Sequence, residues 1–135
     1  SLSNCVFGML ACQIGYYDEA YEYFAQSARM DLDDYHDNFY AGIHAANMAG
    51  TWQAIINGFA GVRVNGGGLE LHPYVPEKWN GMQFYLLYRG RKLKIQLTHE
   101  KTRVELAAGD AVTLKLNEKE IHLEPGEGSV YEEEI

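Results

Sequence analysis

Apolar residues along this chain recur with a period near 3.6 up to about residue 60 and with a period of two beyond it. Phe7, Leu10, Ala11 and Ile14 share one helical face, so residues 4–14 predict a helix, with Ser3 or Asn4 as cap and Gly15 as stop. A second helix is predicted from about Asp18, its candidate cap, to Met30, with Ala20, Tyr21, Phe24, Ala25 and Ala28 on its apolar face. The short joint between them predicts an antiparallel pair. The stretch AGIHAANMAGTWQAIINGFAG, residues 41–61, carries no charged side chain apart from its histidine. It predicts one helix from Gly42 to about Asn57, whose larger apolar members are Ile43, Ala46, Trp52, Ile55, Ile56 and Phe59, ended by Gly58 and Gly61. Ala45, Ala46, Ala49 and Gly50 leave a nearly bare strip, which either packs a neighbouring helix closely or admits a small molecule to the backbone.

From Val62 the alternation is that of strands. Val62 and Val64 flank Arg63, Asn65-Gly66-Gly67-Gly68 reads as a tight turn, and Leu69 and Leu71 resume the pattern. Met82 to Tyr88 and Lys92 to Thr98 predict a hairpin bent at Arg89-Gly90. Further strands fall at 103–106, 112–116 and 121–123, with a last edge strand at Val130 and Tyr131 before an acidic tail. About eight short strands follow residue 60, mostly as an antiparallel meander. One apolar face on each implies two sheets face to face, or one sheet covered by the helices.

Charge divides at the same place. Residues 1–60 hold one basic side chain, Arg29, against seven acidic ones, whereas residues 61–135 hold ten basic and twelve acidic. Two structural units are therefore expected, 1–60 and 61–135. With 47% apolar residues the chain can bury a core, and its net charge of −8 supplies no clustered positive charge for nucleic acid. No apolar run is long enough to span a membrane, so a cytoplasmic setting is the expectation. Cys5 and Cys12 lie seven apart, about two helical turns, and read as reduced core thiols. The chain opens Ser1-Leu2-Ser3-Asn4 without a methionine and enters a helix at once, which reads as a piece from the C-terminal end of something longer.

Little of the sequence carries chemistry. Gly66–Gly68 is followed by a strand and no lysine, so it is a hairpin turn and not a phosphate loop. Four acidic groups between Asp31 and Asp37 lack the glycine and closing glutamate of a calcium loop and read as a solvated connector, with Asp31 or Asp34 as alternative caps of a short turn. His36, His44, His72, His99 and His122 form no metal-ligand spacing, and no metal is expected. His99 and His122 read as surface residues. His44 stands apart because it opens a helix, where unpaired backbone N–H groups and the helix field favour an anion. It reads either as a donor to phosphate or as a satisfied histidine of the core or of a supporting layer. Thr51 and Gln53 are candidates for lining a polar pocket and equally suit helix packing. No convincing acid–base pair or nucleophile accompanies them.

GIHAANMAGTWQAIINGFAG at 42–61, LELHPYVPEKW at 69–79, and Phe84, Tyr88 and RGRKL at 89–93 resemble the glycoside hydrolase family that holds maltose, trehalose and kojibiose phosphorylases. Ser1-Leu2-Ser3 and Tyr16 to Asp34 look like the family's last barrel region, so the resemblance covers nearly the whole chain. It implies an α+β chain: the final helices of an (α/α)6 barrel, then an antiparallel β-sandwich-like C-terminal domain. It implies inverting phosphorolysis of an α-glucosidic disaccharide to β-glucose 1-phosphate, with phosphate as co-substrate and no cofactor. His44 matches the family histidine that contacts phosphate, and Ser1 and Ser3 lie in the serine-rich passage that approaches the same site. The family's general acid lies upstream and has no counterpart here, so these residues alone are expected to be inactive. Helices exposed in such a piece would be free to pair in a homodimer.

Two non-catalytic readings compete. Gly15-Tyr16-Tyr17-Asp18-Glu19-Ala20 with Phe24 and Ala28 also fits one helical-repeat hairpin of an interaction module, although no period recurs. Alternatively, Tyr74, Trp79 or Tyr85 of the β-domain would bind carbohydrate, or plug the core.

Overall fold

The structure, a computed structural model, describes residues 3–34, 37 and 39–135. It divides into two compact units, Ser1–Gly61 and Val62–Ile135. The first is helical: α1 (Asn4–Gln13), α2 (Tyr17–Ala28), α3 (Met30–Asp33), a 3-10 turn (Phe39–Ala41) and α4 (Ala45–Gln53), which widens into a π-helical segment (Ala54–Phe59). The second holds eight strands.

Helices α1 and α2 form the expected antiparallel pair. Gly15, at φ +80, ends α1: its N–H reaches Cys12 O, and Tyr16 N–H reaches Ala11 O. That pair of bonds satisfies carbonyls which the helix leaves open. Ser3 stands at the N-cap position without a side-chain capping bond. Asp18 lies inside the first turn of α2, and Tyr16 takes the cap position. The acidic first turn, Asp18 and Glu19, suits the positive end of the helix field.

The packed face of α1 is not the one its larger residues predict. Cys5, Gly8, Ala11 and Cys12 are buried, whereas Val6, Phe7, Leu10 and Ile14 are 47–66% exposed. Small residues win the interface because they let helix axes approach, and α1 is apolar on every side, so periodicity alone does not rank its faces. The approach is closest at Gly50 of α4, where a Cβ would lie 2.5 Å from Cys5 Sγ. At Gly58 a Cβ would lie 3.4 Å from Cys12 Sγ. Neither cysteine forms a disulfide and both are buried, in keeping with core cysteines. Phe59, 1% exposed, closes the core with its ring edge-on to Phe24 at 5.8 Å.

The third long helix starts later than its pattern predicts. Gly42 has φ +83 and precedes the helix, and His44 is the cap of α4. Gly58 sits inside the π-helical segment, where Ala60 N–H bonds Ile55 O, so Gly61, at φ +62, ends the run alone. Ile43 and Trp52, expected inside, are 75% and 57% exposed.

The strands β1 (Arg63–Asn65), β2 (Gly68–Leu71), β3 (Gly81–Tyr88), β4 (Arg91–Thr98), β5 (Lys101–Ala108), β6 (Val112–Leu116), β7 (Lys119–Leu123) and β8 (Val130–Glu134) form two four-stranded sheets. Three hairpins share one turn chemistry: Gly66-Gly67, Arg89-Gly90 and Asn117-Glu118 all have positive φ at both residues. That geometry matches the twist of the flanking strands. Leu69, Leu71, Leu93, Ile95, Leu97, Val104, Leu114, Leu116 and Leu123 are all at most 2% exposed and supply the core between the sheets.

The order is not a simple meander. One sheet runs β1-β2-β6-β7 and the other β3-β4-β5-β8, so β2 pairs β6 in parallel, Leu69 beside Leu114. A parallel neighbour requires a crossover, and here β3–β5 form it while building the opposite sheet. The acidic tail is also strand. Glu132 pairs across from Arg103 in β8, with Lys101 Nζ 2.6 Å and Arg103 Nη1 3.3 Å from its carboxylate.

Replacing Gly50 by alanine is expected to destabilise the helical unit by about 1–3 kcal/mol, because its methyl would overlap Cys5 Sγ. With Cys5→Ala in the same protein the loss of the double variant should be smaller than the sum of the two single losses. Thermal unfolding of the two single variants and the double variant reads this out, and strict additivity would contradict the packing.

Candidate functional site

The polar chemistry of the helical unit lies along the seam of α2–α3 with α4. Its buried end joins Ser27 and Asn47, 1% and 3% exposed. Asn47 Nδ2 donates to Ser27 O at 2.7 Å, and Ser27 Oγ donates to Asn47 Oδ1 at 2.9 Å. Thr51, one turn along α4, donates to Asn47 O at 2.9 Å, and its hydroxyl lies 2.8 Å from that of Ser27. Each group of the asparagine amide is thus answered, as burial demands.

One turn further the same two elements meet again. Asp31 is four residues past Ser27, and His44 is three before Asn47, so helical spacing brings both to the same end of the seam. Asp31 Oδ2 accepts the His44 main-chain N–H at 3.0 Å, and Asp31 Oδ1 lies 2.5 Å from His44 Nδ1. One carboxylate therefore holds the histidine twice, by backbone and by ring. The side chains remain partly open, 18% for His44 and 25% for Asp31. The hydrogen bond from the histidine ring holds the Asp31 carboxyl below the usual carboxylate range. Burial opposes that shift, while the His44 N–H and charge add to it.

The arrangement fixes which ring nitrogen does what. A carboxylate only accepts, so Nδ1 carries the proton in this pair and Nε2 lies outside it. His44 O accepts from Asn47 N–H and Met48 N–H, which seats the residue at the start of α4, where the helix field favours an anion.

Ser3 caps α1, and Ser1 lies outside the described residues, as does His36. Thr51 is committed to the seam, and Gln53 is exposed at the end of α4. Among the described residues no three metal-binding side chains are grouped. Asp34, a candidate cap, accepts from Phe39 N–H at 3.1 Å. In the β unit, Tyr74 and Trp79 are half-buried, and the exposed Tyr85 carries Lys92 Nζ 4.5 Å over its ring. That ammonium covers one face of the ring. A groove of about 430 Å³ lined by Asn65, Glu70, Thr113, Lys115 and Glu120 contains none of the site candidates. Asp31 is the residue that sequence reasoning missed. It sits in an acidic run, and its partner is 13 residues away, so nothing local marks it.

Residues 1–53 match the model of the glycosyl hydrolase family 65 central catalytic domain, and residues 62–123 match the glycosyl hydrolase family 65, C-terminal domain. The chain belongs to glycosyl hydrolase family 65. Within the family it is 49% identical over 127 residues to an α,α-trehalose phosphorylase of Thermoanaerobacter brockii, covering 94% of this chain and 16% of that protein. It is 35% identical to a kojibiose phosphorylase of Halothermothrix orenii, over 85% of this chain and 15% of the relative. A maltose phosphorylase of Bacillus subtilis is 32% identical, over 92% and 16%. The chain thus spans about a sixth of the length of these relatives. A solved structure provisionally assigned as a kojibiose phosphorylase from the human microbiome has the same fold, with a TM-score of 0.88 at 24% identity, covering 98% of this chain and 17% of that one. No helix among the described residues is long and apolar enough to cross a membrane.

The Asp31–His44 pair sets a pH dependence. A carboxyl held low in the folded chain stabilises it above its unfolded value, about 3.9, and that contribution is lost as pH falls through the folded value. The stability advantage over Asp31→Asn should therefore be full near neutrality and shrink below about pH 4. Denaturant titrations of both proteins between pH 7 and 2 measure it, and a constant difference would contradict the pairing.

Proposed function

We propose that this chain supplies the closing helices of the catalytic barrel, residues 1–60, and the C-terminal β-domain, residues 61–135, of an inverting α-glucosidic disaccharide phosphorylase. Phosphate attacks the anomeric carbon of the glucosyl unit as the glycosidic C–O bond breaks on the opposite face. The departing sugar oxygen takes a proton from a glutamic acid that this chain does not hold. The products are β-glucose 1-phosphate and the released sugar. An external nucleophile removes the need for a second catalytic carboxylate but requires a site for an anion.

The observation that carries this reading is His44, braced by Asp31 at the start of α4 within the part of the chain that matches the catalytic domain. Its Nε2 contacts a phosphate oxygen in this reading, and the amino end of α4 adds a favourable field. Ser3 and Ser1 are the further phosphate contacts of this reading, on the family resemblance of the passage that holds them. Thr51 and Gln53 contribute to the wall, Thr51 through the seam that orients α4. The names of the relatives, three kinds of disaccharide phosphorylase, support phosphate as co-substrate, and the reaction calls for no metal or cofactor.

The exposed side chains of α1 fit the same reading. Val6, Leu10 and Ile14 form an apolar strip on a helix whose opposite side is already buried. Such a strip suits a helix that is covered on both sides in a complete barrel. In the isolated chain it would favour pairing with a second copy. The 135 residues alone lack the acid and would turn over no disaccharide.

Phosphorolysis by the full-length protein tests the proposal. With trehalose, kojibiose and maltose as trial substrates, the sugar phosphate should form as the β anomer, seen by NMR. His44→Ala should raise the KM for phosphate about tenfold or more while leaving the disaccharide KM within about twofold. An unaltered phosphate dependence, or an α-configured product, would refute the reading.

A further inference from the structure

Asp31 has no role in the reading above except as the neighbour of His44, yet its geometry is specific. A solvated connector carboxylate would point to water. This one spends both oxygens on one residue, Oδ2 on the main-chain N–H and Oδ1 on ring Nδ1, from a different helix and across 13 residues of chain. We infer that Asp31 is a positioning residue for phosphate binding: it fixes the ring plane of His44 and engages Nδ1, so that Nε2 is the ring nitrogen that faces the phosphate. The inference rests on the proposed function.

Two bonds do what one would not. The bond to Nδ1 alone would leave the ring free to swing with its backbone, and the bond to the main chain alone would leave the tautomer open. Together they pin the cap residue of α4 and dictate that Nδ1 is the donor within the pair. The brace is itself held. Ser27 and Asn47 lock the helices one turn away, and α3 begins with the buried Met30, directly before Asp31. Arg29, the cap residue of the same short helix, bonds Asp33 through both Nε and Nη2.

An amide at this place cannot reproduce the brace. Asn has one acceptor oxygen and one NH2 group, so either the main-chain N–H or the ring nitrogen would face a donor. In the full-length protein, Asp31→Asn is expected to raise the phosphate KM about tenfold, with the disaccharide KM within about twofold. The rise in melting temperature on adding inorganic phosphate should fall in parallel, a readout that needs no turnover. In a His44→Ala background, Asp31→Asn should add nothing further to the phosphate KM, because Asp31 acts through the ring. A further rise there of the same size overturns the inference, as does an unchanged phosphate KM in the single variant. If His44→Ala raises the phosphate KM while Asp31→Asn does not, His44 keeps its role and only the brace is wrong. If His44→Ala has no effect, the proposed function itself falls. Should Asp31→Asn fail to fold, Asp31→Glu carries the same test: it keeps the charge but displaces the bridge by a methylene, and an unchanged phosphate KM again refutes the role.

Discussion

The buried exchange of hydrogen bonds between Ser27 and Asn47 sets the spacing of the helical unit, and the candidate site inherits it. Both residues are almost inaccessible, and an amide without its partners in such a place would cost several kcal/mol, on the order of 1–3 per unsatisfied group. The two helices must therefore sit at one distance and one rotation. Once that is fixed, helical geometry alone decides which residues meet a turn further on, and these are Asp31 and His44. Gly50 works to the same end from the other side of α4: with no side chain there, α1 closes against α4 at Cys5. The seam is polar where it specifies and bare where it must be tight.

The β unit solves a different problem with the same economy. Its inward positions are leucine, isoleucine and valine with almost no exposure, and three of its two-residue turns, Gly66-Gly67, Arg89-Gly90 and Asn117-Glu118, take the left-handed backbone that suits the twist of the strands. The edge strand β8 carries a run of glutamates, and Lys101 and Arg103 on β5 answer Glu132 within it. Charge on an exposed edge also discourages pairing with another chain.

The positions of the elements could be read from period and turn residues because those depend on neighbours in sequence. The helices at 4–14 and 18–30, the hairpin at 62–71 and the strands from 82 onward all fall near their expected limits. The misread features depend on neighbours in space. Helix α1 offers apolar residues on every side, so nothing in its spacing told Cys5 and Ala11 from Phe7 and Leu10. The alternation of β6 said which side is buried but not that β2 lies beside it. His44 stood out because it opens a helix in an uncharged stretch. Asp31 did not, because one carboxylate among four has no local mark and its meaning comes from a partner on another helix.

The parallel pairing of β2 with β6 carries a cost in time. Leu69 finds Leu114 only after about 45 residues of chain have closed between them, and β8 must likewise return to β5 from the far end. Contacts this remote slow folding, since loop entropy is lost before they form. While a ribosome is still making this segment, the β1–β2 hairpin presents an open edge until β6 emerges. The interval between those strands is when the nascent protein is most open to association with the wrong partner.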